Sequence, residues 1–166
     1  MIIGMAPELQ DISGWINSEP LTLSGLKGRV VFLDFWTYGC YNCQNTLPEM
    51  KKLDARYAEG GLVIIGVHTP EFAYERKREN VERAVAFAGL NYPIALDSNN
   101  TTWKLYGNHY WPRQTIIDES GQVAYEHVGE GNYEEMDAMV GQLLKGAKTR
   151  PGTNGPEKTT SAQPPR

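Results

Sequence analysis

The chain has 166 residues, 40% of them hydrophobic and 22% charged, with a formal net charge of -4. That length suits one domain with a proper core, and the charge leaves no basic footprint for nucleic acid. The charge is uneven, because residues 146–166 carry +3 while residues 1–145 carry -7.

Residues 1–29 form an irregular N-terminal extension. Trp15-Ile16 and Leu21-Thr22-Leu23 are short apolar pieces between Gly14, Pro20 and Gly25, and two edge strands or a hairpin are expected there. Residues 30–36 are a near-continuous apolar run rich in β-formers, the pattern of a central strand covered on both faces. Asp34 interrupts it. Either it is a strand-edge acid facing solvent, or it is a buried carboxylate whose raised pKa makes it a proton acceptor near neutrality.

From Cys43 onward the apolar positions Cys43, Leu47, Met50, Leu53 and Tyr57 have helical spacing. Pro48 is expected to kink that helix or disturb its first turns, and Gly60-Gly61 ends it. Residues 62–67 read as a second buried strand, closing at His68-Thr69-Pro70. A charged helix follows over 75–88 with Val81, Ala84, Val85 and Ala88 as its apolar stripe and Gly89 as its stop.

Residues 92–96 read as a short strand and 101–106 as a helical turn or two. Residues 114–117 and 122–127 make a hairpin around Asp118-Glu119-Ser120-Gly121. A last helix starts at Asn132 as N-cap, with Glu135 completing a capping-box variant. Its buried face is Met136, Met139, Val140, Leu143 and Leu144. Residues 146–166 hold four of the ten prolines and too little apolar surface to repay their ordering entropy, so a disordered tail is expected there. One domain over 1–145 is therefore expected. Strands alternating with helices imply an α/β layered domain, and the hairpin makes its sheet mixed.

Cys40 and Cys43 are the chain's two cysteines. A bridge across two intervening residues removes little loop entropy, so reactivity explains the pair better than stapling. A closed structural zinc site needs four ligands, and His68, His109 and His127 show no ligand spacing with one another; no metal is expected. The attacking species in disulfide exchange is a thiolate, and a free cysteine has a pKa of about 8.5. A helix N-terminus lowers that value through its unsatisfied N–H groups and dipole. Cys40 precedes the helix and sits in that field, whereas Cys43 lies on the apolar stripe. Cys40 is therefore expected to attack a substrate disulfide and Cys43 to resolve the mixed disulfide. Cys43 must then lose a proton, and Asp34 at the end of the central strand is the candidate acceptor.

Leu-Asp-Phe-Trp-Thr-Tyr-Gly-Cys40-Tyr-Asn-Cys43 with Leu47-Pro48 resembles the thioredoxin-like superfamily, in its redoxin branch of TlpA-like and DipZ-like thiol-disulfide oxidoreductases. Val-Ile-Ile-Gly-Val-His68-Thr-Pro-Glu71, Tyr-Pro-Ile-Ala-Leu-Asp97, Tyr-Trp111-Pro112-Arg-Gln-Thr-Ile-Ile-Asp118 and Gly129-Glu130-Gly131 extend the likeness over residues 13–145. The resemblance implies a thioredoxin fold, a central mixed β-sheet flanked by helices. It implies Cys40 as nucleophile, Cys43 as resolving thiol, Asp34 as buried proton acceptor, and Pro112 as a cis-proline beside which substrate backbone docks. Trp36, Tyr41, Asn42 and Trp111 join Pro112 as implied substrate-binding residues.

No bound cofactor is implied beyond a redox-active Cys40–Cys43 disulfide. The implied partners are protein disulfides or dithiols and an upstream electron donor, a membrane thiol transporter or a thioredoxin system, with the protein itself a monomer. Tyr41-Asn42 replaces the Gly-Pro of thioredoxin and Trp111 replaces a smaller residue, which leaves redox direction and substrate preference open. His68 and Glu71 are expected near the dithiol rim as surface-loop residues. Two rivals remain: a peroxiredoxin-like peroxidase, suggested by the Thr37-x-x-Cys40 spacing, and a copper chaperone or non-catalytic binding module using His109. No signal or membrane anchor is visible in the chain as it stands, and many relatives face the oxidising side of a membrane.

Overall fold

The structure, a computed structural model, describes residues 2–149. The strands are Trp15–Ile16 (β1), Val30–Trp36 (β2), Leu62–His68 (β3), Ile94–Leu96 (β4), Arg113–Ile117 (β5) and Val123–Val128 (β6). The helices are Tyr41–Tyr57 (α1), Arg78–Ala88 (α2), Thr101–Leu105 (α3) and Tyr133–Thr149 (α4). The six strands form one sheet in the order β1-β4-β3-β2-β5-β6. β2, β3 and β4 run parallel, and β1, β5 and β6 pair antiparallel to their neighbours. This is the mixed α/β sheet expected from the sequence.

Every residue of β2 and β3 is buried, which is why both read as unbroken apolar runs. Alternation sends their side chains to two separate cores. Val30, Phe32, Trp36 and Ile64 meet α1, α2 and α4 on one face, where Cys43 also lies. Val31, Leu33, Phe35 and Ile65 meet α3 and the N-terminal segment on the other. Because β2 lies between β3 and β5, its C-terminal end opens onto the middle of one sheet edge, and α1 starts there.

Several expectations need correction. Of the two edge strands or hairpin expected in residues 1–29, one edge strand forms. β1 pairs with β4, and Leu21–Leu23 runs into a 3-10 turn, Ser24–Leu26. The Glu8 carboxylate accepts the N–H groups of Leu23 (2.6 Å) and Ser24 (3.0 Å), tying up donors that a strand ladder needs.

α1 runs through Pro48 as one continuous helix. Pro48 and Gln44 both lie on its exposed side, so the carbonyl that proline leaves without an N–H faces water. α2 begins at Arg78, after a separate 3-10 turn, Ala73–Arg76, in which Glu75 is turned inward. β4 starts at Ile94 because Pro93 has no N–H to donate, although its carbonyl accepts from Gly66 N–H at 2.9 Å.

Asn132 stands at the N-cap position of α4 as expected, its carbonyl accepting the Met136 N–H at 3.0 Å, while its side-chain amide donates to Glu135 Oε1 (3.2 Å) and Tyr125 Oη (3.2 Å). Its φ of 58° places it in the left-handed region. α4 continues to Thr149. The rest of the expected tail, 150–166, lies outside the described residues.

Candidate active site

The C-terminal end of β2 feeds a short loop, Thr37-Tyr38-Gly39, that delivers Cys40 to the start of α1. Cys40 is the N-cap residue of α1, with φ -91° and ψ 120°. Its Sγ accepts the backbone N–H of Cys43 at 3.2 Å, as a capping oxygen normally does. Its own N–H donates to the Thr37 carbonyl at 3.2 Å. Both cysteines are free thiols, Cys40 partly exposed and Cys43 buried.

This geometry separates the two thiols electrostatically. A hydrogen bond from the Cys43 thiol, then the backbone N–H groups of Cys43 and Asn42, pull the Cys40 pKa down to about 7, against partial burial and the charge of Glu71. Burial pushes Cys43 far up, and the Cys40 thiolate and Asp34 charge push it the same way. The folded chain thus holds a partly exposed thiol with a lowered pKa beside a buried one with a raised pKa.

Asp34 is 1% exposed, so the solvent-facing alternative is excluded. It lies on the same face of β2 as Phe32 and Trp36, which line the same core as Cys43. Burial raises its pKa to about 7; the amide of Gln114, its partner across the β2–β5 ladder, offsets part of the rise, and the Cys40 charge adds to it. Among the described residues neither Asp34 oxygen has a hydrogen bond of standard geometry. On the other side Asp34 pairs with Gly66 of β3. A Cβ on Gly66 would come within 2.9 Å of Ile94 Cδ1, 3.0 Å of Trp36 Nε1 and 3.2 Å of Tyr92 Cε1, so close packing there depends on glycine.

The Trp111–Pro112 peptide is cis. Pro112 directly precedes β5, whose Arg113 pairs with Phe35 of β2, so it lies at the same sheet edge as the dithiol. Trp111 stacks on Trp103 (ring centroids 4.0 Å apart) and donates Nε1–H to the Thr69 carbonyl at 2.8 Å. Trp36, expected to touch substrate, is only 1% exposed and packs edge-on against His68. Alternation along β2 turns its ring into the core, so it supports the site from beneath. Tyr41 and Asn42 are exposed.

His68 is not a surface-loop residue. It is 2% exposed. Its Nε2 takes the Tyr38 N–H at 3.2 Å and lies 3.3 Å from Thr37 Oγ1, and its ring stacks on Tyr38. Burial lowers its pKa to about 3, so it is neutral. Glu71 is exposed. Glu75, Gln114 and Tyr92 were missed by sequence reasoning. Glu75 looks like one more charge on a charged helix, and no local pattern sets it apart. His109 lies exposed, and among the described residues no group of three or more His, Cys, Asp or Glu could hold a metal ion.

A dithiol capping a helix, a buried acid behind it and a cis-proline across from it on a mixed sheet define a thiol-disulfide oxidoreductase domain of the thioredoxin-like type. The chain belongs to the redoxin family, which it matches over residues 6–144. It is 43% identical over 164 residues to the protein DipZ of Mycobacterium tuberculosis, covering 97% of this chain and 23% of that protein. The chain thus spans about a quarter of the length of that relative. It is 34% identical over 137 residues to the thiol-disulfide oxidoreductase ResA of Halalkalibacterium halodurans, covering 82% of this chain and 72% of ResA. A thiol-disulfide isomerase from Corynebacterium glutamicum superimposes with a TM-score of 0.75 at 24% identity, covering 84% of this chain and 96% of that one, a likeness of fold. Among the described residues no helix is long and apolar enough to cross a membrane.

Proposed function

We propose that the domain exchanges dithiols and disulfides with protein substrates through Cys40 and Cys43, using no bound cofactor. The observation that carries this is the Cys40 thiol held as the N-cap of α1, 3.2 Å from the Cys43 N–H. The Cys40 thiolate attacks one sulfur of a substrate disulfide, forms a mixed disulfide and expels the other sulfur as a thiolate. Cys43 then gives its proton to the Asp34 carboxylate and attacks Cys40 Sγ. The Cys40–Cys43 disulfide forms and the second substrate thiolate leaves. With a pKa of about 7, Asp34 is part ionised at neutrality and able to accept that proton.

Exposed aromatic side chains at this edge support a polypeptide substrate: Tyr41 beside Cys40, Phe72 and Tyr74 after β3, and Tyr110 before Pro112. In this reading substrate backbone lies beside Pro112 and across Tyr41 and Asn42, while Trp36 and Trp111 shape the floor. The domain works as a monomer, and its disulfide is returned to the dithiol by a membrane thiol transporter or a thioredoxin system.

Cys40→Ser is expected to abolish reduction of a protein disulfide such as insulin, and Cys43→Ser to accumulate mixed disulfides resolvable on non-reducing gels. Full turnover by both variants would overturn the mechanism. The reduction potential of the couple sets the direction: a value near about -270 mV marks a reductant and one near about -120 mV an oxidant.

A further inference from the structure

The loop that presents Cys40 is held from outside α1. Glu75 sits in the 3-10 turn after β3, between exposed neighbours, yet it is 1% exposed itself. Its Oε1 accepts the N–H groups of Glu71 (2.7 Å) and Phe72 (2.9 Å), and its Oε2 accepts the N–H of Gly39 at 3.1 Å. Gly39 is the residue immediately before Cys40. A Cβ there would run into Glu75 Oε2 and approach Tyr74 Oη to 3.1 Å, so the close approach requires glycine. One residue earlier, the Tyr38 N–H is held by His68 and the Tyr38 hydroxyl donates to the Tyr74 carbonyl at 3.1 Å. Two successive peptide N–H groups of the β2–α1 loop are therefore held by side chains from β3 and the turn that follows it.

We propose that Glu75 is a positioning residue for the dithiol: its carboxylate ties the turn after β3 to the Gly39 peptide and so holds Cys40 Sγ against the N-terminus of α1. This rests on the reading of Cys40 as the attacking thiol. A carboxylate suits the task because both oxygens accept hydrogen bonds and neither donates. Glutamine keeps an oxygen for the Glu71 and Phe72 N–H groups but turns an NH2 toward the Gly39 N–H, donor against donor. Glu75→Gln thus retains the turn and cuts the tie.

The titratable groups acting on Cys40 are the Cys43 thiol on α1, Asp34 on β2 and Glu71 on the turn, with His68 neutral at the end of β3. The substitution leaves all of them in place.

The test is the pH dependence of Cys40 alkylation by iodoacetamide in the reduced full chain, where buried Cys43 does not compete. Released from Cys43 N–H, the thiol moves back toward the ordinary range of about 8.5, so Glu75→Gln alkylates on the order of ten-fold more slowly at pH 7. The gap closes above about pH 9, where both forms are ionised. A merely structural role predicts a loss equal at both pH values. A field effect predicts a lower midpoint, because a negative charge has been removed. An unchanged midpoint, a lowered one or a pH-independent loss each overturns the proposal.

Gly39→Ala approaches the same contact without altering Glu75 and is expected to raise the midpoint as well. Should Glu75→Gln fail to fold, an unshifted midpoint in Gly39→Ala overturns the proposal alone. Alkylation does not require turnover. Failure of the oxidoreductase reading, seen as full turnover in Cys40→Ser, is therefore distinguishable from failure of this one.

Discussion

The backbone N–H of Cys43 donates to Cys40 Sγ at 3.2 Å. One helix turn separates the two residues, so an N–H at the start of α1 faces the Cys40 sulfur and favours its thiolate. The Cys40 midpoint is lowered to about 7 by the Cys43 thiol and by the N–H groups of Cys43 and Asn42. Iodoacetamide alkylation of the reduced protein should therefore titrate near pH 7. At that pH roughly half of Cys40 is ionised, against about 3% for a free cysteine, so modification should run on the order of ten-fold faster than for a free thiol of equal nucleophilicity. A midpoint above 8.5 would remove the capping account.

Asp34 stands behind Cys43 with its pKa raised to about 7 by burial. Asp34→Asn removes the acceptor while retaining shape. Attack by Cys40 should change less than two-fold. The resolving step at pH 7 should slow by about 10²-fold, within the usual range for general base catalysis. Rapid-quench separation of the mixed disulfide from released substrate measures the two steps, and equal effects on both would exclude Asp34 as the acceptor.

Asp34 and His68 pull stability in opposite directions with pH. Asp34 has a folded pKa of about 7 against 3.8 when unfolded. Between those values the unfolded chain is ionised there and the folded one is not, so stability falls as pH rises. His68 has a folded pKa of about 3 against 6.5. Between those values the unfolded chain is protonated there and the folded one is not, so stability rises with pH. Each slope is ~1.4 kcal/mol per pH unit, and from about pH 4 to 6.5 the two cancel. Urea titrations of Asp34→Asn should show stability rising with pH across that window, and those of His68→Phe should show it falling. A wild-type slope that both variants retain would contradict the assignment.

Trp111 is anchored by Trp103 and the Thr69 carbonyl. Trp111→Ala should lower stability by about 2–4 kcal/mol, below the full range for a buried aromatic because the residue is only partly buried. The same variant at 15 °C, still folded, should retain the Cys40 alkylation midpoint. A fully stable variant with a shifted midpoint would show Trp111 acting on the thiol instead of on the packing.

The β2–α1 unit was readable because its determinants are local. An apolar run, a two-residue cysteine spacing and a 3.6-residue stripe each express contacts between residues a few positions apart. The same holds for the β5–β6 hairpin and for the Gly89 stop, which caps α2 with φ 70°. In the N-terminal segment the first expected edge strand formed as β1 and the second did not, because the fate of each piece depends on distant partners, the open edge of β4 and the far core. Two apolar pieces flanked by turn residues look alike whether they pair with each other or with another strand.

From the sequence alone came the placement of the acid at residue 34 and the thiols at 40 and 43, because burial pattern and helix polarity follow from the order of side chains along one strand and one helix. Tertiary structure decided what holds that chemistry in place. Glu75 reaches Gly39 from 36 residues away, His68 reaches Tyr38 from 30, and Trp111 reaches Thr69 from 42. Those bonds exist only once strand pairing has brought β3, the turn after it and the loop before β5 to one edge of the sheet, and no periodicity along the chain records them.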